Sequence, residues 1–349
     1  MKRLILWCAL ALAWGAPSWQ ALAAESPSAQ LQPITEANHF RDPDWYQWGG
    51  SILRGEDGGY WLFYSRWPKS HGFYAWLTDS EVAVARSDSP AGPWKYQYTA
   101  LKGRGGAHWD AVTAHNPKIK HFDGRYYLYY ISTVGDYSDD ERKKIAKTGY
   151  SHPAWSKLRN AQRTGVAVAD SPAGPWKRAD SPIFEPTPPL HTIVVNPAIV
   201  QRKQGDYLLM VKGDREPRRG SPRIQAVAIS DSPVGPFAVQ PEPAIRDFDT
   251  EDASLWYDSK LDEYRAIYHA HSHYGVITSK DGVTWKGSKH AVYHPKRFRW
   301  EDGSVFTAHR IERPFIHLGE DGEPAVFLTS YFKAGHSAIL TIPFAVEEN

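Results

Sequence analysis

An eight-residue phrase recurs along this chain and leaves few folds open to it. It reads SDSPAGPW at Ser87–Trp94, ADSPAGPW at Ala169–Trp176 and SDSPVGPF at Ser230–Phe237, with a degenerate SKDGVTW at Ser279–Trp285. Each copy follows a short alternating run of small and β-branched residues: EVAVARSD, GVAVAD, QAVAISD and YGVITSKD. Period-two alternation closed by Asp-Ser-Pro and Gly-Pro predicts a strand running into a tight turn, with the aromatic residue opening the next strand.

A second phrase lies upstream of each copy. EDGGYWLFYS, FDGRYYLYYI, KQGDYLLMVKG, SKLDEYRAIYHA and EDGEPAVFLTS are turn-then-strand segments, and their Asp-Gly turns are hairpin signals. Before these come five candidate innermost strands: GGSIL (49–53), HNPKI (115–119), VNPAI (195–199), EDASLW (251–256) and ERPFI (312–316). The unit of strand, turn, strand, turn, strand and a fourth outer strand therefore occurs five times. Spacing between the turns shrinks from 82 residues (Asp88 to Asp170) to 50 (Asp231 to Asp281), which places an insertion at 137–160. Its DDERKK run reads as a solvated loop or short helix at the rim rather than a binding patch. Units that expose sheet edges and faces must stack radially, which predicts an all-β, five-bladed β-propeller. No Pro/Gly/Ser-rich linker divides the chain, so one domain over 25–349 is expected rather than two β-sandwiches.

Residues 1–24 pair a basic start (Lys2, Arg3) with a short apolar run and end Ala-Leu-Ala-Ala. That pattern predicts a cleavable signal peptide, a periplasmic or secreted mature protein, and no membrane contact after cleavage. The single cysteine, Cys8, lies inside it, so no disulfide is expected. The 41 Lys+Arg against 39 Asp+Glu argue against a nucleic-acid partner. An aromatic content of 13%, with 15 Trp and 19 Tyr, suits strands and sugar-binding clefts alike.

In a propeller the innermost strands converge on the axis, so their first residues line a funnel. Alignment on the turns puts Gly50, Asn116, Asn196, Asp252 and Arg313 at one depth, preceded by Gly49, His115, Val195, Glu251 and Glu312. Charged and amide groups entering apolar strands are either paired across the axis or functional.

The blade pattern, with WGGSILRGEDGGYWLFYSRWP, WDAVTAHNPKI, EDASLWYD and ERPFI, resembles the five-bladed glycosidase superfamily that includes glycoside hydrolase families 43, 32 and 117. The resemblance covers nearly all of the chain after residue 24. It implies a glycosidase with a carboxylate acid/base pair, an oligosaccharide as substrate and no organic cofactor. Family 43 opens a blade-four strand with its acid, and Glu251 falls there; Asp252 beside it would raise its pKa. The family's pKa-modulating Asp-Pro of blade three is matched by Asn196-Pro197. The family's base opens blade one, where this chain has Gly50, so Asp42 or Asp110 would serve instead, Asp42 being favoured as part of an Asp-Pro. Either is otherwise a turn residue.

Other groups expected at the funnel are His115 and Asn116 for sugar hydroxyls, with His115 alternatively structural or beside an axial ion. Arg66 and Arg313 would grip a carboxylate or sulfate, and Trp48, Trp67 and Trp109 would stack on sugar faces. Glu312 and His269 complete the set. His269, His271 and His273 alternate, but without a fixed carboxylate partner no metal site is assigned. An exo-acting, inverting hydrolase of an oligosaccharide, acidic in one version, is the first expectation. A carbohydrate-binding propeller without turnover and a polysaccharide lyase are the alternatives.

Overall fold

The computed structural model describes residues 31–218, 220–287 and 292–345. The expected signal peptide lies outside them. Blade one is an antiparallel meander of Trp45–Arg54, Tyr60–Pro68, Glu81–Ser87 and Lys95–Leu101. Blade two follows with His115–Phe122, Arg125–Ser132, Arg163–Ala169 and Lys177–Arg178, and blade three with His191–Gln201, Tyr207–Asp214, Arg223–Ser230 and Ala238–Val239. Blade four has three strands among the described residues, Glu251–Asp258, Glu263–His269 and Tyr274–Ser279. Among the described residues its degenerate turn leads to an isolated bridge between Thr278 and Lys286.

Blade five combines Arg310–Leu318, Pro324–Lys333 and His336–Pro343 with an outer strand from the other end of the chain, His39–Phe40. The innermost strands pack in sequence order, and that of blade five returns to that of blade one. This is the five-bladed β-propeller that the repeats predict. Pairing the first strand with the last blade closes the ring and covers part of the edge of His336–Pro343.

Five apolar cores lie between neighbouring blades. Tyr129, Val194 and Leu209 belong to the core between blades two and three, and Leu208, Leu255 and Ala266 to that between three and four. The aromatic after each Gly-Pro turn enters one of these interfaces. Trp94 packs against Phe40 and Leu328, and its Nε1 donates to Thr341 Oγ1 of blade five at 3.1 Å. Trp176 meets Phe63 of blade one edge-on. Repetition in sequence thus becomes repetition of interfaces, and the unusual aromatic content is spent largely there.

The hub carries a second repeated device. Every innermost strand shifts register near its start: between Trp48 and Ser51, His115 and Lys118, Val195 and Ala198, Glu251 and Ser254, and Glu312 and Phe315. The first residue inside each bulge has left-handed backbone, with φ of 60° at Gly49, 51° at Asn116, 56° at Asn196, 59° at Asp252 and 64° at Arg313. Non-glycine residues seldom adopt this region, and four of them at one depth mark a constrained and purposeful geometry. The fifth member of the ring is therefore Gly49, not Gly50, and Trp48 stands where blade four has Glu251. Turn-based alignment slipped by one residue because the bulge, not the turn, sets the depth.

The insertion folds as a lobe. Helix α1 (Asp139–Thr148) starts with a capping box between Ser138 and Glu141 and turns its acidic first residues to solvent, as the charge run predicts. A one-turn 3-10 segment (Gly149–Ser151) then leads to α2 (Trp155–Asn160). Ile145, Trp155 and Leu158 bury against Leu77 and Val112.

Candidate active site

The strand starts enclose a cavity on the propeller axis. Its walls hold Trp48, Trp67, Trp76 and Trp155, and its polar lining includes His115, Lys212, Arg223, Glu251, Arg310 and Glu312. A ring of side chains closes the floor. The Asn116 amide lies 2.8 Å from Asn196 and within 2.9 Å of the Arg313 guanidinium. Asn196 Nδ2 donates to Asp252 Oδ1 at 2.7 Å, and Arg313 Nη1 meets the same oxygen at 2.6 Å. Gly49 fills the remaining position without a side chain. The left-handed bulge residues aim these groups at the axis while their predecessors, Glu251 and Glu312, face the cavity. An uninterrupted strand would have sent one of each pair away.

Glu251 is gripped from blade three. Its Oε2 accepts from Lys212 Nζ at 2.7 Å, and its Oε1 lies 3.0 Å from Arg223 Nη2. Burial by itself would push the carboxyl up; the charges of Lys212, Arg223 and His269 outweigh it and hold the group well below the ordinary glutamate value. Glu251 is thus an ionised carboxylate, and the sequence expectation of a protonated acid beside Asp252 is reversed. Asp252 is also ionised, at about 2: desolvation raises it, while Arg313 and His269, whose Nδ1 lies 3.5 Å from Asp252 Oδ2, lower it by more. Glu312 has an ion pair with Arg310 Nε at 2.8 Å.

His115 is buried and stays neutral, because desolvation and the nearby Arg313 push its pKa well below the usual value. Its Nδ1 lies 2.7 Å from Ser80 Oγ, its Nε2 lies 3.1 Å from the Asn116 amide, and Trp76 stacks on its ring. With both nitrogens engaged, His115 does not present the open ligand an axial ion requires. Asp252, His269 and Glu312 bring one ligand atom each within 4.8 Å of one another. Arg313 and Arg310 already neutralise the two carboxylates, so this group fits a cation poorly.

Of the residues expected from sequence, Trp48, Trp67, His115, Asn116, Asn196, Glu251, Glu312 and Arg313 line the cavity, and Asp252 closes its floor. His269 and His271 open onto an adjoining depression; all three histidines do not share a face, because the strand ends at His269 and turns. Four candidates lie elsewhere. Asp42 is a turn residue whose Oδ1 accepts from the backbone N–H groups of Asp44 and Trp45. Asp110 is fully buried between Arg104, Arg178 and the Tyr130 hydroxyl. Arg66 pairs with Glu81 and stacks on Trp45 and Tyr96, and Trp109 packs on Tyr130 while donating to Ala179 O. Neither Asp42 nor Asp110 reaches the cavity, so neither can act as the base.

Several lining residues escaped sequence analysis. Lys212 had a usable signal, a lone cation inside the apolar strand YLLMVKGD. Arg223 and Arg310 each open a strand, where charge is unremarkable. Tyr150, Trp155 and Arg159 come from the insertion, which supplies one wall as well as the exposed charges of α1.

The fold and hub place the chain among five-bladed β-propellers whose axial cavity is built from strand starts. Its backbone superposes on a family 117 glycoside hydrolase of the marine bacterium Zobellia galactanivorans with a TM-score of 0.61, at 18% identity and 92% coverage of both chains. BT0996, solved as an RGII complex, gives 0.63 at 14% identity over 95% of this chain and 98% of that one. A GH43_1 enzyme from Xanthomonas citri gives 0.56 at 16% identity, with 93% and 92% covered. No family model and no curated protein matches the sequence. At these identities the likeness establishes the fold.

Proposed function

We propose that this protein is an exported glycoside hydrolase that removes a terminal sugar from an oligosaccharide. The observation that carries the reading is a tryptophan-walled cavity with a closed floor that holds two carboxyl groups, Glu251 and Glu312. Tryptophan faces stack on sugar rings, and convergent charged groups orient hydroxyls. The Asn116–Asn196–Asp252–Arg313 ring blocks the axis, so a glycan can enter only by its end, which supports exo-action. The predicted signal peptide supports export.

Glu251 takes the role of base. Held as an anion by Lys212 and Arg223, it removes a proton from a water as that water's oxygen bonds to the anomeric carbon. Glu312, the cavity's other carboxyl, takes the role of acid: as the incoming sugar draws Arg310 off it, it takes up a proton from solvent and gives that proton to the glycosidic oxygen while the carbon–oxygen bond breaks. Proton and electron pair balance without a cofactor, as in an inverting hydrolysis. Before substrate enters, Arg159, Lys212, Arg223, Arg310 and Arg313 each have a carboxylate partner. This charge balance favours a neutral terminal sugar over an acidic one.

Assay on aryl-glycosides and on agar, ulvan, arabinan and fructan oligosaccharides tests the reading. Wild type should release one monosaccharide without intermediate-length products, and Glu251→Gln and Glu312→Gln should each lose at least ~1000-fold in kcat, the order expected when an acid or base is removed. The competing reading is a carbohydrate-binding propeller, favoured by the double pairing of Glu251 and by Trp48-Gly49 at the start of blade one. Tight glycan binding with no turnover by wild type across the panel selects it.

A further inference from the structure

Beyond the central cavity, two further depressions open at the mouth of the funnel. One runs over α2 and blade three past Arg159, Asp214 and Ser221. The other runs over blades four and five past His269, His271, Lys296 and His309. Tyr150 and Arg223 border both depressions and the central cavity as well. The three spaces therefore meet at one point.

Tyr150 is half exposed, at 49%, and of the large hydrophobic side chains exposed among the described residues it alone borders the central cavity. It is also rigidly held. Its ring stands edge-on to Tyr74 and to Trp155, both at 5.0 Å between centroids. The preceding Gly149 has φ of 59°, and a Cβ there would come within 2.7 Å of the Tyr74 ring. Only glycine lets α1 end close enough to hand Tyr150 to this position. A clamped, half-exposed aromatic ring loses little conformational freedom on binding, which is what a stacking platform needs. Both depressions are bordered by polar side chains: Arg159, Asp214 and Ser221 on one side, histidines and Lys296 on the other.

We infer that the substrate is branched next to the bond that is cleaved, with Tyr150 stacking on the sugar at the branch and directing its two substituents into the two depressions. This rests on the funnel being the carbohydrate site proposed above. A linear chain would fill the central cavity and one depression, leaving the second without an occupant.

The test uses the mature chain carrying Glu251→Gln and measures binding by titration calorimetry. The probes are branched arabino-oligosaccharides and rhamnogalacturonan-II side-chain fragments, each against its linear counterpart. At least tenfold tighter binding of a branched member is expected. Adding Tyr150→Ala should abolish the preference, and Tyr150→Phe, which keeps the ring, should retain it. Equal binding of both series, tighter binding of the linear one, no binding, or a preference that survives Tyr150→Ala overturns the inference. The preference of the Glu251→Gln protein is decisive by itself should Tyr150→Ala not fold. Wild-type turnover of linear glycans without discrimination sinks branch recognition and leaves the hydrolase standing. Tight branched binding that wild type never converts to product does the opposite.

Discussion

Lys212 Nζ and Glu251 Oε2 lie 2.7 Å apart, joining the second strand of blade three to the first residue of the innermost strand of blade four. The contact helps hold the Glu251 carboxyl in its ionised form, and it crosses a blade boundary that no local pattern spans. Its consequence for catalysis is measurable.

Glu251 should remain ionised far into acid, so the acidic limb of the kcat/KM profile should fall well below pH 4.5, the ordinary value for glutamate. Lys212→Met removes the largest opposing charge, and the limb should move upward by at least one pH unit. A limb unmoved by Lys212→Met would remove Glu251 from the base role.

Asp252 ties Asn196 to Arg313 at the axis. Its carboxyl falls from 3.8 to about 2 on folding, so it contributes about 2 kcal/mol of stability. That contribution is complete above about pH 4 and is lost as pH falls through 2. Asp252→Asn deletes it and leaves the partly buried Arg313 without its counter-charge, a change worth about 3 kcal/mol. Thermal melts from pH 2 to 7 should show a lower midpoint for the variant at neutral pH and a shallower decline toward acid.

Gly49 and Gly50 should respond differently to substitution. A Cβ at Gly49 meets nothing nearer than Asn116 Oδ1 at 3.5 Å, and its φ of 60° is one asparagine tolerates. Gly49→Asn should therefore change stability by less than about 1 kcal/mol, supplying the ring's missing side chain. At Gly50, φ is 139° and a Cβ would press to 2.9 Å from Phe63 O. Gly50→Ala should cost more than about 2 kcal/mol by chemical denaturation. The reverse ranking would refute the bulge alignment of blade one.

Trp155 anchors the insertion lobe and walls the cavity. Trp155→Ala empties a site in the lobe worth about 3–5 kcal/mol of local packing. The blades do not depend on it, so the strand-dominated circular dichroism spectrum should persist while KM rises at least tenfold. A fall in kcat at constant KM would mean that the lobe acts on chemistry rather than on binding.

The blade grammar was legible before any coordinates because it is local. Alternation in EVAVARSD, turns at Asp-Ser-Pro and aromatic residues after Gly-Pro each depend on neighbours a few positions apart, and five copies of one unit admit few closed arrangements. The convergence of His115, Asn116, Asn196, Asp252 and Arg313 followed from the same repetition. The one-residue slip at Gly49 arose where a bulge overrode the periodicity.

Charge state and reach were decided only by the closed ring. Lys212 and Arg223 precede Glu251 by 39 and 28 residues, and their effect on it depends on distances that exist only after blades three and four pack. Asp110 and Arg66 have the composition of site residues, yet their partners Arg178 and Thr99 come from outer strands and hold them away from the axis. Short-range conformational preference is written residue by residue along a chain. Coulomb energy and burial are properties of positions in space, and those the propeller alone assigned.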